Sequence, residues 1–153
     1  MTDANPLGGR SPERRAGLRV PALLAGRNEA LPRVMVADVI VATAAHTGVP
    51  RREIVGGCRS SGIVEARHLG IEVAMQITGR STPEVARRFG LVDHTSVLHA
   101  RGKMGARWAG GCRRTVDDLS AIARAAIAIA EARIAAASAV RRPEAAAVPG
   151  GDR

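Results

Sequence analysis

A chain of 153 residues with 23 Lys and Arg against 14 Asp and Glu has room for one compact domain with tails, and its net charge of +9 suits a polyanionic partner. Twenty-two of those cations are Arg, and the aromatic complement is one Phe, one Trp and no Tyr. The stacking platforms on which single strands and RNA are usually held are therefore missing, and duplex DNA is the better match.

Cys58 and Cys112 form no C-x-x-C pair, and His46, His68, His94 and His99 make no zinc-ligand spacing with them. Reduced structural thiols are expected, with no metal and no cofactor. The first 33 residues carry Asp3, Glu13 and Glu29 and no long apolar core, and no run of about 18 uninterrupted apolar residues occurs anywhere. The expectation is a cytoplasmic, nucleoid-associated protein with no membrane partner.

Residues 1–32 hold Pro6, Gly8, Gly9, Pro12, Gly17, Pro21, Gly26 and Pro32 among scattered charges, a density of breakers that reads as a flexible leader. From Val34 to Thr47 the residues Val36, Val39, Ile40, Thr43 and Ala44 recur at helical spacing, and Gly48 and Pro50 end the run. Arg51–Val55 reads as a short turn and Gly56–Gly62 as a loop. A helix is predicted over about Ile63–Thr78, with Ala66, Leu69, Val73 and Ile77 as its core stripe, Ile63 and Ala74 alongside, and Glu65, Arg67, His68 and Glu72 facing elsewhere.

Ser81-Thr82-Pro83-Glu84 fits an S-x-x-E capping box with Pro in the tolerant first turn, so another helix opens there. Val85, Ala86 and Phe89 supply its buried face. Gly90 stands where a left-handed C-cap is wanted, and Asp93, three residues on, can cap a further helix through the amides of Thr95 or Ser96. Two helices joined by a short Gly-containing turn make a helix-turn-helix. In the second of them Val97, Leu98, Arg101, Met104 and Trp108 recur three or four apart, and the apolar members are expected to point inward.

The opposite face then carries Thr95, Ser96, His99, Lys103 and Arg107. Short polar groups at its amino end allow close approach to a major-groove floor; Thr95 can donate, accept and set a methyl against a thymine methyl, and His94 can reach a base edge or a phosphate. Lys103 and Arg107 are placed for phosphates as the helix leaves the groove. Between Arg51 and Arg114 twelve cations face five anions, so most of the net charge lies in this region, and affinity for DNA should fall with salt.

An Ala-rich helix follows over Val116–Ala139, with Leu119, Ile122, Ala126, Ile129 and Ala130 as its stripe and Asp117, Asp118, Arg141 and Arg142 suited to its dipole. Packing on its own domain is favoured over pairing with a second copy, because Ala buries little area; a monomer or weak dimer is expected. The division is thus a leader (1–32), a helix-turn-helix domain (33–108), an Ala-rich helical tail (109–142) and a disordered end (143–153), in an all-α fold.

The string Glu65-Ala66-Arg67-His68, then Ile77–Val85, then Phe89-Gly90-Leu91-Val92-Asp93-His94-Thr95-Ser96-Val97-Leu98-His99-Ala100 resembles the C-terminal DNA-binding domain of the bacterial replication initiators of the DnaA family. The resemblance covers about Val34–Met104. It implies an all-helical domain that binds DnaA boxes, with Asp93, His94, Thr95 and Ser96 reading bases in the major groove, Arg59 entering the minor groove, and Arg67 touching phosphate. His68, Ser81, His99 and Lys103 complete the DNA-binding set. The chain departs from the family at Leu91-Val92, where Gly-Arg is usual, at Ser96 for a second Thr, and in a loop that keeps only Arg59.

No G-x-x-x-x-G-K-[ST] phosphate loop is present, so a stand-alone relative without ATPase activity is expected, regulating replication initiation or transcription. The alternative is a protein-interaction module that binds DnaA or a DnaA regulator with weakened DNA binding. An enzyme is disfavoured: Asp93, His94 and Thr95 are consecutive, and successive helix residues diverge by about 100°, which gives no nucleophile–base geometry.

Overall fold

In the computed structural model residues 32–141 are described; what was expected of 1–31 and 142–153 lies outside them. Among the described residues there are six helices and no strand: α1 (Val36–Thr47), α2 (Arg51–Ile54), α3 (Ser61–Ile77), α4 (Thr82–Arg88), α5 (Thr95–Ala109) and α6 (Arg113–Val140). None is long and apolar enough to cross a membrane. The described residues form an all-α fold, as helical periodicity and the resemblance imply.

Local chemistry sets the helix ends. The Asp38 carboxylate accepts the Met35 amide at 2.8 Å across the first turn of α1, and Gly48 closes that helix at φ 74°. Gly90 ends the α4 segment at φ 69°, a conformation costing about 1–2 kcal/mol for a residue with a Cβ. The capping box foreseen at Ser81–Glu84 does not form. Ser81 is the N-cap of α4, but its side chain makes no capping bond, and the Glu84 carboxylate lies 3.4 Å from Arg80 instead. A cation one turn away has drawn off the carboxylate.

α3 lies at the centre, against α1, α4, α5 and α6. Its Gly70 makes room for the fully buried Phe89 of the helix-turn-helix. Ala66, Leu69, Ile71, Val73 and Ala74 are buried along it, whereas Ile63 and Ile77 are only half-buried. Two residues expected to face outward, Arg67 and Glu72, are buried as well. Glu72 is tolerated there because Arg101 of α5 and Gln76 both donate to its carboxylate, at 3.2 and 2.6 Å.

α6 rises about 1.5 Å per residue over 28 residues and buries Leu119, Ile122, Ala123, Ala126, Ile127 and Ala130 in the same core as α1 and α3. Small Ala side chains let the helix axes approach closely. Polar clasps flank that seam: His46 at the end of α1 lies 2.8 Å from Asp118, and Arg133 reaches Asp38 at 3.0 Å and the Arg33 carbonyl at 2.8 Å. Beyond Ala130 the helix is exposed.

Candidate nucleic-acid interface

The amino end of α5 is held by its cap. Asp93 Oδ1 accepts the Thr95 amide at 3.0 Å, and His94 Nδ1 lies 3.2 Å from the same oxygen. The Thr95 amide, then its hydroxyl, hold the Asp93 carboxyl below its ordinary value, so it stays ionised. Asp93 therefore orders the helix end as well as lying at its surface.

Asp93, His94 and Thr95 are exposed and Ser96 is half-buried, so the hydroxyls and imidazole expected to read bases are open to a ligand. Helical geometry continues the face through His99 and Lys103, both exposed, one and two turns along. Leu98, expected inside, stands out at 54% exposure. Val97, Ala100 and Met104 take the core positions, and Leu98, about 100° round the helix from Val97, falls outside their stripe. Val92 is fully exposed just ahead of the cap.

His68 of α3 sits beside this face, its ring centroid 5.9 Å from that of His99 in an edge-on arrangement. Burial first, and then the neighbouring His99, Arg67, Arg107 and Lys103, pull its pKa down, which keeps the ring uncharged at neutral pH. The pair ties α3 to α5 and leaves His99 on the surface.

The cations divide into two groups. Arg107, foreseen as a phosphate contact, lies 2.6 Å from Glu65 of α3, and Arg101 is engaged by Glu72. Lys103 and Arg59 make no ion pair with another described residue. Arg59 is exposed in the α2–α3 connection, immediately before the Ser60 N-cap of α3.

The α2–α3 connection and the α4–α5 turn touch: a Cβ on Gly90 would lie 3.2 Å from both the Gly56 nitrogen and Val55 Cγ1. The fold thus sets the loop bearing Arg59 against the turn that leads into the Asp93–Ser96 end of α5. Ser81, at the start of α4, is exposed with its hydroxyl free of capping duty.

Arg67, expected to touch phosphate, is engaged within the fold. It is 6% exposed, and its guanidinium donates to three carbonyls: Nε to Ile54 at 2.8 Å, Nη1 to Cys58 at 3.0 Å and Nη2 to Glu53 at 3.0 Å. Sequence spacing gave no sign of this, since the acceptors lie nine to fourteen residues away and are backbone groups that any residue type could supply.

Residues 36–104 match a family described as the bacterial dnaA protein helix-turn-helix. Among curated relatives, the chromosomal replication initiator protein DnaA of Agrobacterium fabrum is 43% identical over 81 residues, 53% of this chain and 16% of the relative. That of Rhizobium meliloti is 42% identical over 72 residues, 47% of this chain and 15% of the relative. The Caulobacter vibrioides protein is 38% identical over 68 residues, 44% and 14% respectively. The chain thus spans about a sixth of the length of these relatives. Residues 36–104, which hold α1–α4, the Gly90 turn, the Asp93 cap and most of α5, are thus similar to the helix-turn-helix of bacterial dnaA proteins.

Proposed function

We propose that this protein binds double-stranded DNA at DnaA-box-like sites and thereby regulates replication initiation or transcription from nearby sequence, in the cytoplasm at the nucleoid and without ATP turnover. The amino end of α5 enters the major groove with His94, Thr95 and Ser96 at base edges. Arg59 enters the adjoining minor groove, while Lys103 and Ser81 meet phosphates. The observation that carries this reading is the exposure of His94 and Thr95 on a helix end already fixed by the Asp93 cap: a reading surface pre-formed before any ligand arrives loses little order on binding.

Fluorescence anisotropy with a duplex containing a DnaA box and a scrambled duplex of equal length, over a range of salt, tests it. Box DNA is expected to bind more tightly, and Thr95→Ala to lower affinity for the box more than for the scramble. Equal loss on both would refute sequence reading, and no binding to either at low salt would refute DNA binding altogether.

The second reading, a module that binds DnaA or a DnaA regulator, is favoured by one observation: the fully exposed apolar Val92 at the edge of the polar face. Val92→Asp separates the two, since capture of DnaA lost with box affinity kept would support the interaction role.

A further inference from the structure

The α2–α3 connection holds the single cation left to it, Arg59, behind two consecutive glycines, Gly56 and Gly57. Such a stretch has many conformations in solution, and a loop that must be ordered on binding loses affinity in proportion. Here it is held from two sides. On one side three carbonyls converge on the buried Arg67 guanidinium, two from the last turn of α2 (Glu53 and Ile54) and one from Cys58, the residue directly before Arg59. On the other, Gly56 and Val55 abut the Gly90 turn, where even one added methyl would come within 3.2 Å. One guanidinium therefore ties α2, the loop and α3 together beside the turn that launches α5.

We infer that Arg67 is a positioning residue: it holds the loop so that Arg59 stands in fixed register with the Asp93–Ser96 end of α5, and it makes no phosphate contact of its own. The inference rests on the DNA-binding reading above. Swinging Arg67 out to a phosphate would strip three carbonyls of their donor at once, which opposes that role. A planar fork with five donors can serve three carbonyls in fixed directions, whereas an ammonium carries the same charge as a point and cannot. Arg67→Lys therefore separates the two roles, because a phosphate contact survives it and a three-way clasp does not.

The experiment compares wild type, Arg67→Lys, Arg67→Met, Arg59→Ala and Arg67→Lys/Arg59→Ala by anisotropy on DnaA-box duplex, with the melting temperature of each. Limited trypsin digestion of the free proteins, scored by mass spectrometry for cleavage after Arg59, is run beside it. Arg67→Lys is expected to lose affinity as much as Arg59→Ala does, about tenfold for a single base-edge arginine, and the double variant to bind no worse than Arg59→Ala alone. Cleavage after Arg59 should accelerate in Arg67→Lys at temperatures well below its melting point.

Near-wild-type binding by Arg67→Lys together with weak binding by Arg67→Met, or a further loss on top of Arg59→Ala, would overturn the inference in favour of direct phosphate contact. If Arg67→Met fails to fold, the lysine variant and the digestion decide. If wild type does not bind the duplex, the DNA-binding reading falls, and an unchanged cleavage rate after Arg59 would separately refute the clasp.

Discussion

Gly70, in the middle of α3, offers a test of how the helix-turn-helix is seated, because two effects of known size oppose each other there. Replacing an interior helical glycine by alanine ordinarily stabilises a protein by about 0.5–1 kcal/mol. At Gly70, however, the new Cβ would lie 2.8 Å from Thr43 Oγ1 and 3.2–3.3 Å from the Phe89 ring. Both neighbours are completely buried, and the Thr43 hydroxyl already donates to the Val39 carbonyl at 2.7 Å. Neither can retreat into solvent, so the overpacking cost of about 1–3 kcal/mol prevails. Gly70→Ala should lose about 1–2 kcal/mol net, or about 4–8 °C in melting temperature.

Gly102 on α5 provides the control, since its added Cβ meets nothing within 4 Å; Gly102→Ala should gain about 0.5–1 kcal/mol. Urea and thermal unfolding followed by circular dichroism measure both, read as a midpoint shift at constant slope. A Gly70→Ala protein as stable as Gly102→Ala would refute the packing argument. So would strict additivity in Gly70→Ala/Thr43→Ala, because removing the hydroxyl that is struck should recover part of the loss, a coupling of about 0.5–3 kcal/mol.

Other outcomes follow from the same contacts. Ile122→Ala, at a fully buried position of α6, should destabilise by about 2–5 kcal/mol; a melting temperature close to wild type would mean that α6 is not part of the core. Since the folded pKa of His68 is lowered from 6.5, the unfolded chain takes up the proton first. Its contribution is therefore complete above pH 6.5 and is lost as pH falls below it. His68→Gln should flatten the decline of melting temperature on acidification relative to wild type, and an unchanged decline would refute the assignment. Asp93→Ala should lower the melting temperature above the ordinary carboxylate range while Asp93→Asn, which keeps an acceptor, lowers it less; equal losses would show that the cap is not what matters. Lys103→Ala should weaken box and scrambled DNA alike and reduce the slope of log affinity against log salt by about 1, whereas a loss confined to box DNA would make Lys103 a base reader.

Features decided within a few residues of themselves were legible in the chain. The left-handed turn at Gly90, the Asp93 cap on the Thr95 amide and the stop at Gly48 each depend on one residue type at one offset, and the structure has all three. Exposure of the His94–Thr95 end follows from the periodicity of α5, since Val97, Ala100 and Met104 claim its inner face. The Ser81–Glu84 box does not form because a capping glutamate has competitors, and Arg80 sits near enough to take it.

What tertiary structure alone decided is which polar groups are sunk and which remain free. Periodicity assigns Arg67 and Glu72 to the outside because it knows only their polarity. Burying such a group becomes acceptable when partners arrive from elsewhere: carbonyls of α2 and the loop for Arg67, and Arg101 of α5, 29 residues away, for Glu72. Likewise Arg107 and Lys103 look equivalent along one helix, until the neighbouring helix brings Glu65 against the first and no anion against the second. Residue types and spacings thus determine where helices begin, end and turn. Whether a charge is a clasp or a free contact depends on the complementary group that folding brings to it.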